Sequence, residues 1–190
     1  MTQASSHEPR TIQSVVIGFA LIRALEQSGE SVHLSVWSGQ RPVIVSRVDG
    51  QPEISLSIRI GFALPLDDSA SGRVFAAFLP EAARLAGQSK GRQARAELHR
   101  ILDEVRRSGL ATSESLVNKG FAAISTPVFD HDGRLAAAMT ALGSAAHLDT
   151  RPDGPVACAL REAGETTSAA LGWRPRLPAT ADRSPDAGPI

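Results

Sequence analysis

One stretch of sequence, GFAAISTPVFDHDGRLAAAMTALG (residues 120–143), constrains the fold more than any other part of the chain. Two runs that are poor in charge flank the sequence DHDG at residues 130–133, where Asp-Gly supplies the backbone freedom that a tight reversal needs. The pattern predicts a β-hairpin in which residues 121–129 pair antiparallel with residues 134–142.

Strand alternation divides the side chains of this hairpin between two faces, and both faces are mostly small and apolar. Because Ala and Thr fill little volume, we expect helices to cover one side and a cavity or a partner to lie on the other. A plain buried core hairpin is the alternative interpretation. The three sets of residues that share a face are Phe121, Ala123, Ser125, Pro127 and Phe129; Ala136, Ala138, Thr140 and Leu142; and Leu135, Ala137, Met139 and Ala141.

Three further segments alternate like strands. Residues 32–37 and 42–48 flank a turn at residues 38–41 and predict a second hairpin, with Val32, Leu34 and Val36 opposite His33, Ser35 and Trp37. Residues 53–60 predict a third strand. Its core face is expected to carry Ile54, Leu56, Ile58 and Ile60, and its other face Ser55, Ser57 and Arg59, so that one side of the sheet is wet or faces a ligand.

Helical patterns connect and follow these strands. Asp68 or Ser69 is placed to cap a short helix that Pro80 stops, and its N-terminus can hold a carboxylate or be an ordinary capped core helix. Another turn of helix begins at Pro80, and further helices are predicted over residues 14–25, 92–108 and 155–171. The expected fold class is α/β, of the α+β kind: an antiparallel sheet with helices packed on it.

Composition favours a soluble globular protein with one main domain, because no apolar run approaches the roughly 20 residues that cross a bilayer. The N-terminus lacks the order of a secretion signal, and the single cysteine excludes an internal disulfide, so we expect a cytoplasmic location. Lys and Arg number 20 and Asp and Glu number 20, so net charge gives no general attraction to nucleic acid or anionic membrane.

Candidate chemistry is sparse. Nucleophile elbows, phosphate-binding loops and zinc-protease motifs are absent from the sequence. Asp67-Asp68 can bind a cation, although adjacent carboxylates before a helix are more often caps. We expect Cys158 to be a small core residue. The histidines have no ligand spacing, and each is expected to be a surface or strand residue: His33, His99, His131 and His147.

Four blocks of sequence, in this order, resemble the effector-binding domain of the IclR family of bacterial transcriptional regulators. They are SVHLSVWSGQRPVIVSRVDG, RIGFALPLDDSASGRVFAAFLP, EVRRSGLATSESLVNKGFAAISTPVFDHDGRLAAAMTALG, and a C-terminal helix ending in ALG. The resemblance implies a GAF-like domain over residues 31–172, with a curved antiparallel sheet of about six strands and helices packed on it.

The family also carries an N-terminal winged helix-turn-helix that reads DNA. Residues 12–30 resemble its first helix, but from Glu30 the sequence continues directly into the effector domain. The chain therefore resembles a regulator whose DNA-reading module is either deleted or outside these residues. Residues 1–11 and 173–190 are expected to be disordered.

The resemblance also implies a small-molecule pocket, formed by the loop before the first effector-domain helix and by the central hairpin. Ala123 and Leu142 stand where members that bind small acids have polar groups, and Asp67-Asp68 replaces a usual His-Ala. These departures argue against pyruvate or glyoxylate and favour a larger, partly apolar acid, aromatic or alicyclic. The matching positions are Leu64, Ala70, Ser71, Gly72, Ser113, Ala123, Thr140 and Leu142.

The leading hypothesis is thus the ligand-sensing domain of a transcriptional regulator, which binds a small organic acid to modulate DNA binding. The alternative is a stand-alone GAF-like small-molecule-binding module that acts through a protein partner. An enzyme is not expected, nor is a cofactor or a metal. The resemblance implies a homodimer or homotetramer, no membrane partner, and contact with operator DNA only through a winged helix-turn-helix.

Overall fold

The computed structural model describes residues 23–24, 26–50, 59–88, 91–114 and 120–174. Its centre is the predicted hairpin, in which the strands Phe121–Phe129 and Leu135–Ser144 pair antiparallel. The turn closes through the Gly133 N–H, which donates to the Asp130 carbonyl at 2.9 Å, and Gly133 has φ +74°. This positive φ is the conformation that glycine adopts without steric cost, so the turn sequence sets the register of the hairpin.

The second predicted hairpin is also confirmed, and it joins the first. Its inner strand pairs with Leu135–Ser144, giving a fully antiparallel sheet of five strands among the described residues, in the order β2-β1-β5-β4-β3. The strands are β1 (Ser31–Trp37), β2 (Pro42–Val48), β3 (Ala111–Glu114), β4 (Phe121–Phe129) and β5 (Leu135–Ser144), and the helices are α1 (Ala70–Phe78), α2 (Pro80–Gly87), α3 (Arg92–Ser108) and α4 (Pro155–Ala170).

The helix boundaries follow the expected capping chemistry. Ser69 is the N-cap of α1, because its hydroxyl accepts the Gly72 N–H at 2.9 Å. Pro80 is the first residue of α2, where a missing N–H costs nothing. Gly109, with φ +70°, closes α3. Single residues that are visible in the sequence thus set three of the helix boundaries.

Helices lie on both faces of the sheet. Helix α1 packs on one face and carries α2 and α3 above it, and α4 packs against β4 and β5 on the other. The second face, where a cavity or a partner was expected, is thus covered by α4, and a cavity remains between that helix and the strands. Gly164 explains the close approach, because a Cβ there would lie 2.7 Å from Thr126 Cγ2. Small residues in the hairpin make room for a helix.

Several predictions fall at the margins of the described residues. The predicted strand at 53–60, including the core assignment of Leu56 and Ile58, lies outside them except for its last two residues. Of those two, Ile60 is 64% exposed and lies in a turn with Gly61, so it does not extend a core strand. Of the predicted N-terminal helix, residues 23, 24 and 26–28 are described, and these are helical.

Two residues near the C-terminus refine the sequence interpretation. Cys158 is exposed on α4, so its assignment to the core is wrong. Val156, Ala157 and Leu160 occupy the side of α4 that faces the sheet, and Cys158 points away from it. Trp173, at the start of the predicted disordered tail, stacks on Phe129 with ring centroids 5.5 Å apart, and the tail beyond residue 174 lies outside the described residues.

Candidate functional site

Strand register places the predicted site residues in two rows beneath the N-terminus of α1. In the first row, Thr140 on β5 lies between its cross-strand partners His33 on β1 and Ser125 on β4. In the second row, Ala123 on β4 lies between Leu142 on β5 and Ser113 on β3. Alternation along each strand puts both rows on the same face. One row is polar, and the other is apolar with a hydroxyl at its β3 end.

A chain of buried hydroxyl groups links the polar row to α1. Thr140 Oγ1 is hydrogen-bonded to Ser125 Oγ at 2.9 Å and to Ser71 Oγ at 2.8 Å. Ser71 Oγ lies 3.4 Å from His33 Nε2, and Ser125 Oγ also donates to the Met139 carbonyl at 3.2 Å. These four polar side chains are each no more than 4% exposed. Such a network holds the face in one arrangement, because each member needs its partners to offset desolvation.

The N-terminus of α1 is engaged by the protein itself. The Ala70 N–H donates to Ser113 Oγ at 3.0 Å, and the Gly72 N–H donates to the capping hydroxyl of Ser69. Ala70 and Ser113 were both expected at the pocket, and the structure pairs the N–H of one with the hydroxyl of the other. Strand β3 causes this, because it carries Ser113 directly beneath the helix end. An anion at this point must displace the serine hydroxyl.

Close backbone contacts fix the loop that leads into α1. A Cβ on Gly72 would lie 2.5 Å from the Leu66 carbonyl oxygen, so only glycine fits there without moving the loop. Arg73 ties this loop to β3, since it donates to the Asp67 carbonyl at 3.1 Å and to the Thr112 carbonyl. Arg73 on α1 therefore links the preceding loop to β3.

An apolar cluster borders the polar row. Its buried members come from the loop, from α1 and from three strands: Ile44, Leu64, Ala70, Ala123 and Leu142. The partly buried rings of Phe62 and Phe121 pack against them. The predicted residues Leu64, Ala123 and Leu142 thus share one apolar surface, and Ser71, Ser113 and Thr140 lie beside it. The structure brings all eight predicted positions together around the start of α1.

His33 and Ser125 belong to this arrangement, and the sequence analysis did not assign either to the site. Burial, together with the positive charge of Arg47 on β2, lowers the pKa of His33 from 6.5 to about 4. The imidazole is therefore neutral at pH 7. The alternation of polar and apolar residues along β1 was the available signal, but it did not say which face α1 would cover.

Other candidate features lie apart from this site. Among the described residues, no group of three or more His, Cys, Asp or Glu side chains is arranged to hold a metal ion. Within the same residues, no helix is both long and apolar enough to span a bilayer. His99, His131 and His147 are exposed, as expected. A cavity of about 310 Å³ lies on the opposite face of the sheet, between α4 and strands β1, β4 and β5.

Comparison with known families gives one match that covers most of the chain. The family model described as "Bacterial transcriptional regulator IclR C-terminal" matches residues 16–169. HTH-type transcriptional regulator XynR of Escherichia coli K12 is 27% identical over 157 residues, which cover 77% of this chain and 62% of that relative. The chain thus spans less than two thirds of the length of XynR.

Solved structures agree with this match. The crystal structure of Pseudomonas aeruginosa HmgR is similar with a TM-score of 0.75 and 30% identity, covering 85% of this chain and 67% of HmgR. Thermotoga maritima IclR has the same fold, with a TM-score of 0.74 and 24% identity over 85% of this chain and 69% of its own. The chain therefore shares its arrangement of sheet and helices with these two proteins.

Proposed function

We propose, because this chain belongs to the IclR family of bacterial transcriptional regulators, that residues 31–172 form a sensor domain whose effector is a small, partly apolar organic acid. Proteins of this family bind DNA and small-molecule effectors, and the matched relatives are regulators, not enzymes. Effector binding would modulate DNA binding by the complete regulator. A protein of this class works in the bacterial cytoplasm, where we place this chain.

The observation that carries the proposal is the meeting of a helix N-terminus, buried hydroxyls and an apolar surface. The Ala70 N–H is satisfied by Ser113 Oγ at 3.0 Å, and a ligand carboxylate can take the place of this hydroxyl as a stronger, charged acceptor. The hydroxyls of Ser71 on α1 and Thr140 on β5, 2.8 Å apart, lie next to His33 and can donate to the second carboxylate oxygen. The polar half of the site thus suits an anion.

The apolar half favours a ligand with a hydrocarbon body. Ala123 and Leu142 are cross-strand partners, and they share a buried cluster with Ile44 and Leu64. Each buried CH₂ group contributes about 0.8 kcal/mol on transfer from water. Pyruvate and glyoxylate have almost no hydrocarbon to place against this surface, whereas an aromatic or alicyclic acid covers it. We therefore infer an effector such as a ring-bearing carboxylic acid.

Family membership suggests two partners for this chain, further copies of itself and operator DNA. We propose that the chain forms a homodimer or homotetramer, and that it meets operator DNA only through a winged helix-turn-helix. Light scattering at micromolar concentration should give at least twice the mass of one chain, and a monomer would count against the assembly. In a mobility-shift assay with competitor DNA, these 190 residues alone should give no operator-specific band, because the sequence runs from Glu30 directly into the effector domain without a recognition helix and its net charge is zero.

Titration calorimetry with the wild-type chain tests the effector class. We expect benzoate or cyclohexanecarboxylate to bind at least tenfold more tightly than pyruvate or glyoxylate. Benzamide, which has the shape of benzoate without its charge, should bind more weakly than benzoate. Tighter binding of pyruvate or glyoxylate would overturn the inference that the apolar surface contacts the ligand. Equal affinity for benzamide and benzoate would overturn the inference that the site recognises a carboxylate.

A further inference from the structure

His33 is an ionisable side chain in the candidate site that the sequence interpretation treated only as a surface or strand residue. It is 4% exposed and lies between its cross-strand partners Thr140 on β5 and Arg47 on β2. Its Nε2 atom is 3.4 Å from Ser71 Oγ, at the end of the hydroxyl chain where a carboxylate would be received. A buried histidine next to an anion site can gain a charge that it lacks in the free protein.

We propose, building on the proposed function, that His33 is the proton-binding residue of the effector site. A carboxylate held by Ser71 and Thr140 lies beside the imidazole, which takes one proton from solvent as the ligand binds. The bound state then contains a carboxylate and an imidazolium in place of an unpaired buried anion. Binding of the acid is thereby coupled to proton uptake, and affinity increases as the pH falls.

The charges around His33 support this coupling. The group facing it from β2 is Arg47, which pairs with Asp49, while Thr140 of β5 and Ser71 of α1 are uncharged. The pKa of His33, lowered to about 4 first by burial and then by Arg47, leaves the ring neutral before the ligand arrives. A carboxylate within about 4–6 Å favours the charged ring and raises such a pKa by roughly 1–3.

A purely structural role makes a different prediction. A histidine that only fills space under α1 and completes the hydrogen bond with Ser71 would contribute to folding, and it would bind no proton when an acid arrives. Loss of stability in a variant therefore does not distinguish the two roles. Proton uptake by the wild-type protein does distinguish them, and it does not depend on whether any variant folds.

The experiment is calorimetric titration of the wild-type chain with benzoate, cyclohexanecarboxylate and benzamide between pH 5 and 7. Each titration is run in two buffers of different ionisation enthalpy, so that the number of protons taken up is measured directly. We expect a substantial fraction of one proton per carboxylate bound at pH 5–6, and affinity weakening about three- to tenfold from pH 5 to pH 6. Benzamide should bind without proton uptake and without this pH dependence.

The variant pair is His33→Gln with the matched control His131→Gln, whose side chain is 73% exposed in the β4–β5 turn. His33→Gln should bind benzoate with no proton uptake and a nearly flat pH profile, while His131→Gln should behave as wild type. Benzoate binding without proton uptake in the wild-type protein, or an unchanged pH profile in His33→Gln, would overturn the assignment and leave the proposed function standing. Failure of both acids to bind would overturn both.

Discussion

Lowering the pH from 7 to 4 should destabilise this domain through His33. The pKa of His33 is about 4 in the folded protein, against 6.5 for an ordinary histidine, because the ring is buried and faces Arg47. Between these values the unfolded chain binds more protons than the folded one, so stability rises with pH. The contribution is complete above about pH 6.5 and is lost as the pH falls towards about 4.

The size of the effect follows from the two pKa values. Each tenfold change in proton affinity corresponds to about 1.4 kcal/mol. Lowering the pKa from 6.5 to about 4 therefore corresponds to a loss of about 3 kcal/mol between pH 7 and pH 4. This is a large share of the roughly 5–15 kcal/mol that stabilises an ordinary domain.

Urea denaturation of wild type and His33→Gln across pH 4–7 measures this contribution, since groups that titrate alike in both proteins cancel in the difference. The stability of His33→Gln relative to wild type should improve by about 3 kcal/mol on going from pH 7 to pH 4. The exposed control His131→Gln should show no such trend. If the difference in unfolding free energy between wild type and His33→Gln does not change with pH, the claim that His33 is buried and neutral is refuted.

Two further substitutions test the packing around α1. Gly72→Ala should lower the free energy of unfolding by about 3 kcal/mol or more, because its Cβ would lie 2.5 Å from a backbone carbonyl oxygen, and urea denaturation should show it. Gly91→Ala, whose Cβ meets nothing within 4 Å, is the matched control and should cost less than about 1 kcal/mol. Thr140→Val, which removes a hydroxyl between two buried serines, should destabilise by about 1–2 kcal/mol in the same assay. It should also weaken an acid ligand by about two- to tenfold in calorimetry, and unchanged affinity would remove Thr140 from the site.

The parts of the fold that depend on local sequence were predictable. The β4–β5 hairpin depends on Asp-Gly at the turn and on alternation along each arm, and both are visible in the residues themselves. The start of α1 depends on the hydroxyl of Ser69, and its end on Pro80. These signals act over a few residues, so no knowledge of the tertiary packing is needed to use them.

The parts that depend on packing between distant segments were not predictable from local signals. Alternation along β1 separates His33 from Leu34, but it does not show that α1 covers the polar face and buries the imidazole. Ser113 was expected to face a ligand, and it caps the N–H of Ala70, 43 residues away. Cys158 lies on a helix whose inward side was misjudged. In each case the deciding contact joins segments that are remote in sequence.

Calorimetric titration of Leu142→Arg with the acid that binds wild type most tightly tests the central claim most directly. Leu142 is 5% exposed within the apolar cluster, so an arginine there would place a charge where the hydrocarbon body of the ligand is proposed to pack. Val45→Arg is the matched control, because Val45 is 43% exposed on β2. Circular dichroism establishes that each variant is folded before acid binding is compared, because a buried arginine is destabilising. We predict that Leu142→Arg loses measurable acid binding while Val45→Arg keeps the wild-type affinity, and acid binding unchanged in a folded Leu142→Arg would contradict the location of the site.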